Sequence, residues 1–101
     1  MKITQRDPET LEVTELKELS GSAAATVRDT IREALRDPIR KLDLDLSLIT
    51  FIDSSGLGAL IALLKTQNAR GGQVRLLNPS PVARQILELT RLHRTFEIVT
   101  T

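Results

Sequence analysis

The sequence predicts an α/β fold: a mixed, mostly parallel sheet of four to five strands with helices packed on one face. Three observations predict it. Short stretches of alternating hydrophobicity take turns with stretches whose apolar residues recur at spacings of three and four. The resulting order is strand, strand, helix, strand, helix, strand, helix, strand, and right-handed crossovers between parallel strands would gather the helices on one side. Turn chemistry separates the stretches, at Asp7-Pro8-Glu9, Asp37-Pro38, Gly71-Gly72 and Asn78-Pro79-Ser80-Pro81. At 101 residues, with no linker or internal repeat, residues 1–101 form a single domain.

Lys2 to Arg6 alternates weakly around Ile3 and reads as a short edge strand, joined by the proline turn in a first antiparallel hairpin. Thr10 to Leu16 sets Leu11 and Val13 on one face, then shifts parity to Leu16, the mark of a bulge or an early strand end. Glu12, Glu15, Lys17 and Glu18 dilute this strand, so a helical reading of Thr14 to Leu19 stays open. Ser22 to Arg36 is a helix with Ala24, Val27, Ile31, Ala34 and Leu35 in one stripe, started by Ser20 or Ser22 and stopped by Asp37-Pro38. Its charges read as a solvated face.

Ile39 to Ile52 is the central strand region, with Ser47 to Thr50 a loop or kink within it. Leu42, Leu44 and Leu46 face one way and Lys41, Asp43 and Asp45 the other. Asp43 and Asp45, two apart on a strand, have the geometry for an acid/base or metal pair. The simpler reading is a sheet face that is wet, or at least free of helices. Ser54 to Arg70 is the next helix, apolar at Leu57, Leu60, Ile61 and Leu64, polar at Lys65, Gln67, Asn68 and Arg70, and ended by Gly71-Gly72. Gln73 to Leu77 is a strand. Ser80 is the expected N-cap and Pro81 the first residue of a helix running through Leu92, and Phe96 to Val99 closes the chain as a strand.

Composition excludes several functions. Two Phe with no Trp or Tyr leave little aromatic surface for stacking bases, and a net charge of +1 gives no basic field for phosphate backbones, so no nucleic-acid partner is expected. The absence of cysteine and the single His93 leave no metal site, and no cofactor is expected. No apolar run is long enough to span a membrane, and residues 1–10 lack a signal-peptide core, so a cytoplasmic protein without a membrane partner is expected.

The most informative residues are Phe51-Ile52-Asp53-Ser54-Ser55-Gly56-Leu57-Gly58, where an apolar strand turns directly into a helix. Asp53, Ser54 and Ser55 can each accept from the free amides of the first helical turn. Gly56 and Gly58 each cost a helix roughly 0.5–1 kcal/mol relative to Ala. Two readings account for them: relief of crowding where the helix crosses its own sheet, or a surface platform that a partner approaches closely, with two serine hydroxyls at the positive end of a helix dipole.

Asp53-Ser54-Ser55-Gly56-Leu57-Gly58, between an apolar strand and an apolar helix, resembles the signature of STAS domains, and most of all that of stand-alone bacterial anti-sigma factor antagonists. The order of elements over nearly the whole chain resembles that family too. The resemblance implies that Ser54, directly after Asp53, is phosphorylated by a partner that is both serine kinase and anti-sigma factor; Ser55, the adjacent hydroxyl, is the backup candidate. It implies a partner-binding surface of Asp53, Ser54, Ser55, Gly56, Leu57, Gly58 and Ser20. The unphosphorylated form would bind the kinase, which carries the ATP, and free a sigma factor, and a phosphatase would reset it. Lys17-Glu18-Leu19-Ser20 departs from the family's Gly-Glu-Leu-Asp, losing an acidic residue near the partner surface. Arg91-Leu92 likewise stands where the family often has Gly-Leu, which predicts a looser helix end. Two alternatives remain: a non-switching STAS subunit of a stress-sensing or lipid-transport complex, and, remotely, a serine-nucleophile hydrolase with His93 as base, for which Gly-x-Ser-x-Gly is not matched.

Overall fold

A computed structural model describes residues 1–101. β1 (Lys2–Asp7) and β2 (Thr10–Thr14) form the antiparallel hairpin, its turn held by the Glu9 amide donating to Asp7 Oδ1 at 2.9 Å. There follow β3 (Glu18–Leu19), α1 (Gly21–Ala34), β4 (Lys41–Asp45), β5 (Phe51–Ile52), α2 (Ser54–Ala69), β6 (Gln73–Leu77), α3 (Pro81–Leu89), a 3-10 turn at Leu92–Arg94 and β7 (Glu97–Val99). The main sheet has five strands in the order β1-β2-β4-β6-β7, with only β1 antiparallel. This is the predicted mixed, mostly parallel sheet. The short strands β3 and β5 pair in parallel as a separate two-stranded ribbon, Glu18 beside Phe51 and Leu19 beside Ile52.

Alternation decides the two faces of the main sheet. Leu11, Val13, Leu42, Leu44, Val74 and Leu76 are buried on the helix side. They pack in one aliphatic core with Ala24 and Ile31 of α1, Ala59, Leu60 and Leu63 of α2, and Ala83 and Leu87 of α3. Fully burying such a side chain stabilises the fold by about 1.5–3 kcal/mol.

At Asp43 the opposite face is free of helices, as expected, yet it is covered by side chains. It is not wet there: the Asp43 side chain is 0% exposed beneath two arginines. Arg75 donates to both its oxygens, at 2.9 and 2.7 Å, and Arg6 to Oδ2 at 2.7 Å. Burial pushes the Asp43 pKa up, but the hydrogen bonds and charges of Arg75 and Arg6 outweigh it and hold the carboxyl below the usual range. Asp45 instead takes the Ser47 amide and hydroxyl, closing the turn after β4. The two carboxylates share a face and form no acid/base or metal pair.

The central strand region is two strands: β4 lies in the main sheet, while β5 crosses to the ribbon. Phe51, read as part of an apolar strand, is 50% exposed on the ribbon's outer side. β2 ends at Thr14, where Glu15 takes a left-handed φ of 61°, and the helical reading of Thr14 to Leu19 gives way to β3. The buried stripe of α2 is Gly56, Ala59, Leu60, Leu63 and Gln67, about one position round from the predicted one. Gln67, read as a solvated polar residue, is 0% exposed. Its amide donates to Arg40 O and Gln73 O and its oxygen accepts from Arg70, so a buried polar group is fully paired where the chain turns from α2 into β6. α3 ends at Leu89 rather than Leu92, and Arg91, where the family often has glycine, takes a left-handed φ of 61°. Ser80 is the expected cap, accepting from the Ala83 amide at 3.1 Å and donating to Ile49 O at 2.7 Å.

Candidate functional site

The strand-to-helix turn is fixed from both sides. Upstream, the Thr50 amide and hydroxyl donate to Lys17 O, and the Asp53 amide to Leu19 O, so β5 is tied along β3 up to the turn. Downstream, Asp53 is the N-cap of α2, with Oδ1 accepting from the Gly56 amide at 2.9 Å. Its Oδ2 accepts from the Gly21 amide at 2.9 Å, the first residue of α1. One carboxylate thus caps two helices and holds their N-termini side by side. The Gly56 amide, then the Gly21 amide, hold its carboxyl below the usual range.

Ser20 occupies the N-cap position of α1 with extended backbone, but its side chain makes no capping bond. Asp53 does that work from the next helix. Of the two expected starters, Ser20 rather than Ser22 begins the helix, without a side-chain capping bond. Its backbone still starts the helix, with Ser20 O accepting from the Ala24 amide.

With Asp53 as cap, Ser54 and Ser55 are the first helical residues, and both are exposed. The two glycines separate. A Cβ on Gly56 would collide with the Leu19 carbonyl oxygen, so Gly56 is the packing residue that lets α2 cross the ribbon. A Cβ on Gly58 would meet nothing within 4 Å, and Gly58 is exposed next to half-buried Leu57. The crowding reading holds for Gly56, and only Gly58 remains available as an open platform.

The chain's two concavities, of about 410 and 170 Å3, lie elsewhere, at Met1, Glu15–Glu18 and Val27 and at Arg40–Lys41 and Gly71–Gln73. Neither concavity is lined by Ser54 or Ser55. His93 Nδ1 lies 3.3 Å from Leu87 O, on the 3-10 turn after α3, and is not paired with either serine. No group of three or more His, Cys, Asp or Glu side chains is arranged to hold a metal, and no helix is long and apolar enough to cross a membrane.

The STAS domain pattern matches residues 2–101. This chain belongs to the STAS domain family. An anti-sigma F factor antagonist of Lysinibacillus sphaericus is 29% identical over 85 residues, covering 83% of this STAS domain and 73% of the relative. The crystal structure of tm1081 from Thermotoga maritima superposes with a TM-score of 0.88 at 27% identity, covering 99% of this chain and 85% of that one. The anti-sigma factor antagonist SpoIIAA, 24% identical, shares the fold in its unphosphorylated form (TM-score 0.85, 99% and 86% covered) and in its phosphorylated form (0.79, 99% and 89%).

Sequence reasoning missed two features of this STAS domain. The Gly21 amide carries no residue-type signal, since any residue would donate there. The outward Phe51 was legible only in the two-residue alternation of Glu18-Leu19 and Phe51-Ile52, too short to read as a ribbon.

Proposed function

We propose that this STAS domain is an anti-sigma factor antagonist switched at Ser54. It is a binding protein rather than an enzyme. Its unphosphorylated form captures an anti-sigma factor that is also a serine kinase, which frees a sigma factor. Transfer of the ATP γ-phosphoryl group to the Ser54 oxygen releases the partner, and a phosphatase restores the hydroxyl.

The observation that carries this reading is the division of labour at the turn. Asp53 supplies the cap, so exposed Ser54 is spared for modification at the first helical position. A phosphate there adds about −1.5 to −2 charges at the positive end of α2, which tolerates it. Its consequence falls on the partner, through bulk and charge on a face shared with Ser55, Leu57, Gly58 and Ser20. The sharing of one fold by both forms of SpoIIAA supports a switch that does not refold the domain. A sigma-factor pathway places the protein in the cytoplasm.

The test is phosphoryl transfer. Each serine-kinase anti-sigma factor of the source genome, purified and given ATP, is incubated with the chain and with Ser54→Ala. One of them is expected to add a single phosphate at Ser54, read by mass spectrometry, and none to Ser54→Ala. Phosphate on Ser55 alone moves the switch by one residue, and transfer by no kinase overturns it. The loss of the family's acidic residue at Ser20 favours a second reading, a non-switching subunit of a larger complex, which predicts no transfer.

A further inference from the structure

We propose that the outward face of the β3–β5 ribbon, Phe51 with Glu18 beside it, is the anchor by which the anti-sigma kinase grips this chain. The proposal rests on the switch described above and names where most of the binding energy lies.

Phe51 is one of only two aromatic residues. The other, Phe96, is 4% exposed in the core, while Phe51 is 50% exposed on a two-residue strand. Interface energy concentrates in a few residues, and a half-exposed aromatic ring gains most when a partner pocket removes it from water. Phe51 is also held in place before any partner arrives. Its strand is in register with β3, and the amides on either side, of Thr50 and Asp53, donate to Lys17 O and Leu19 O. Little backbone ordering entropy is left to lose there on binding.

The anchor is continuous with the switch. Asp53 has extended backbone, so the alternation of β5 carries through it and sets Phe51 and Asp53 on one side, with Ser54 next. Leu48, 49% exposed, precedes Phe51 by three residues in the loop that Ser80 fastens through Ile49 O. Glu18, directly beside Phe51 in the ribbon, is exposed and belongs to none of the chain's seven ion pairs. An aromatic anchor with a free carboxylate at its edge fits an apolar pocket rimmed by Lys or Arg. Glu18 thereby supplies negative charge on a face from which the acidic residue at Ser20 is missing.

The kinase that binds wild type is titrated calorimetrically with Phe51→Ala, Phe51→Leu, Glu18→Gln and Glu18→Lys, each checked for native circular dichroism. Phe51→Ala is expected to weaken binding about 30-fold or more and Phe51→Leu much less. Glu18→Lys is expected to weaken it about 10-fold, and Glu18→Gln by a smaller factor that high salt abolishes. Should Phe51→Ala fail to fold, Phe51→Leu together with Glu18→Lys decides. Binding of Phe51→Ala within about threefold of wild type, while Ser54→Asp binds none, overturns the anchor and leaves the switch standing. Binding of wild type to no kinase overturns both. A wild-type homodimer in light scattering that Phe51→Ala dissolves assigns the face to a second copy instead.

Discussion

Asp53 holds the Gly56 amide with one oxygen and the Gly21 amide with the other, each at 2.9 Å. Its identity before an apolar helical run made the first bond legible. The second joins residues 32 apart in sequence, and no local pattern encodes it. The distinction has a measurable consequence. Asparagine caps a helix about as well as aspartate, yet it has one acceptor oxygen and would point an N–H2 group at the remaining amide. Asp53→Asn is therefore expected to lower the melting temperature and to speed amide exchange at Gly21 or Gly56, with α3 unaffected. Unchanged exchange at both amides would mean that the shared cap contributes nothing in solution. Ser54 lies beside this cap without taking part in it, so the proposed modification of Ser54 would leave its neighbour to hold the turn.

At the scale of elements, the ribbon and α2 meet so closely at Gly56 that a methyl group would enter the Leu19 carbonyl. Gly56→Ala is expected to cost about 1–3 kcal/mol or more, because backbone must move to admit it. Gly58→Ala, in open space on the same helix, is expected to be neutral or to stabilise by up to about 1 kcal/mol. Paired thermal melts compare them, and equal effects would contradict the assignment. Both glycines stand in the same helical turn, so the sequence could not separate them; the separation depends on β3, whose two residues carry too little pattern to announce a strand. The predicted α2 stripe fell about one position off for a related reason. It counted Leu57, Ile61 and Leu64, whereas Gly56 and Gln67, neither of them apolar by type, complete the buried line. A glycine buried by close approach and a glutamine buried by hydrogen bonds to Arg40 O and Gln73 O look, in sequence, like residues of a wet face. The long elements were plain because periodicity and caps agreed, as at Ser80-Pro81 and Gly71-Gly72.

Across the whole molecule, the helix-covered side of the sheet carries the core and the other side is stitched by charge at its centre. Asp43 is held below the usual carboxylate range, so it binds fewer protons folded than unfolded near that range. Its contribution is full above about pH 4 and is lost as pH falls through the folded value. Asp43→Asn is expected to cost about 1–3 kcal/mol at neutral pH, with the gap from wild type narrowing as pH drops below about 4 in denaturant titrations. A gap independent of pH would assign the cost to packing alone. The proposed phosphorylation at Ser54, outside this sheet and its core, would carry the net charge from +1 through zero. The most direct measurement is therefore the affinity of the anti-sigma kinase for the chain fully phosphorylated at Ser54 against the unphosphorylated chain. Binding of the phosphorylated chain is expected to be at least about tenfold weaker, within the usual range of coupling between a modification and a binding event, with superimposable circular dichroism. Equal affinity of the two forms would contradict it.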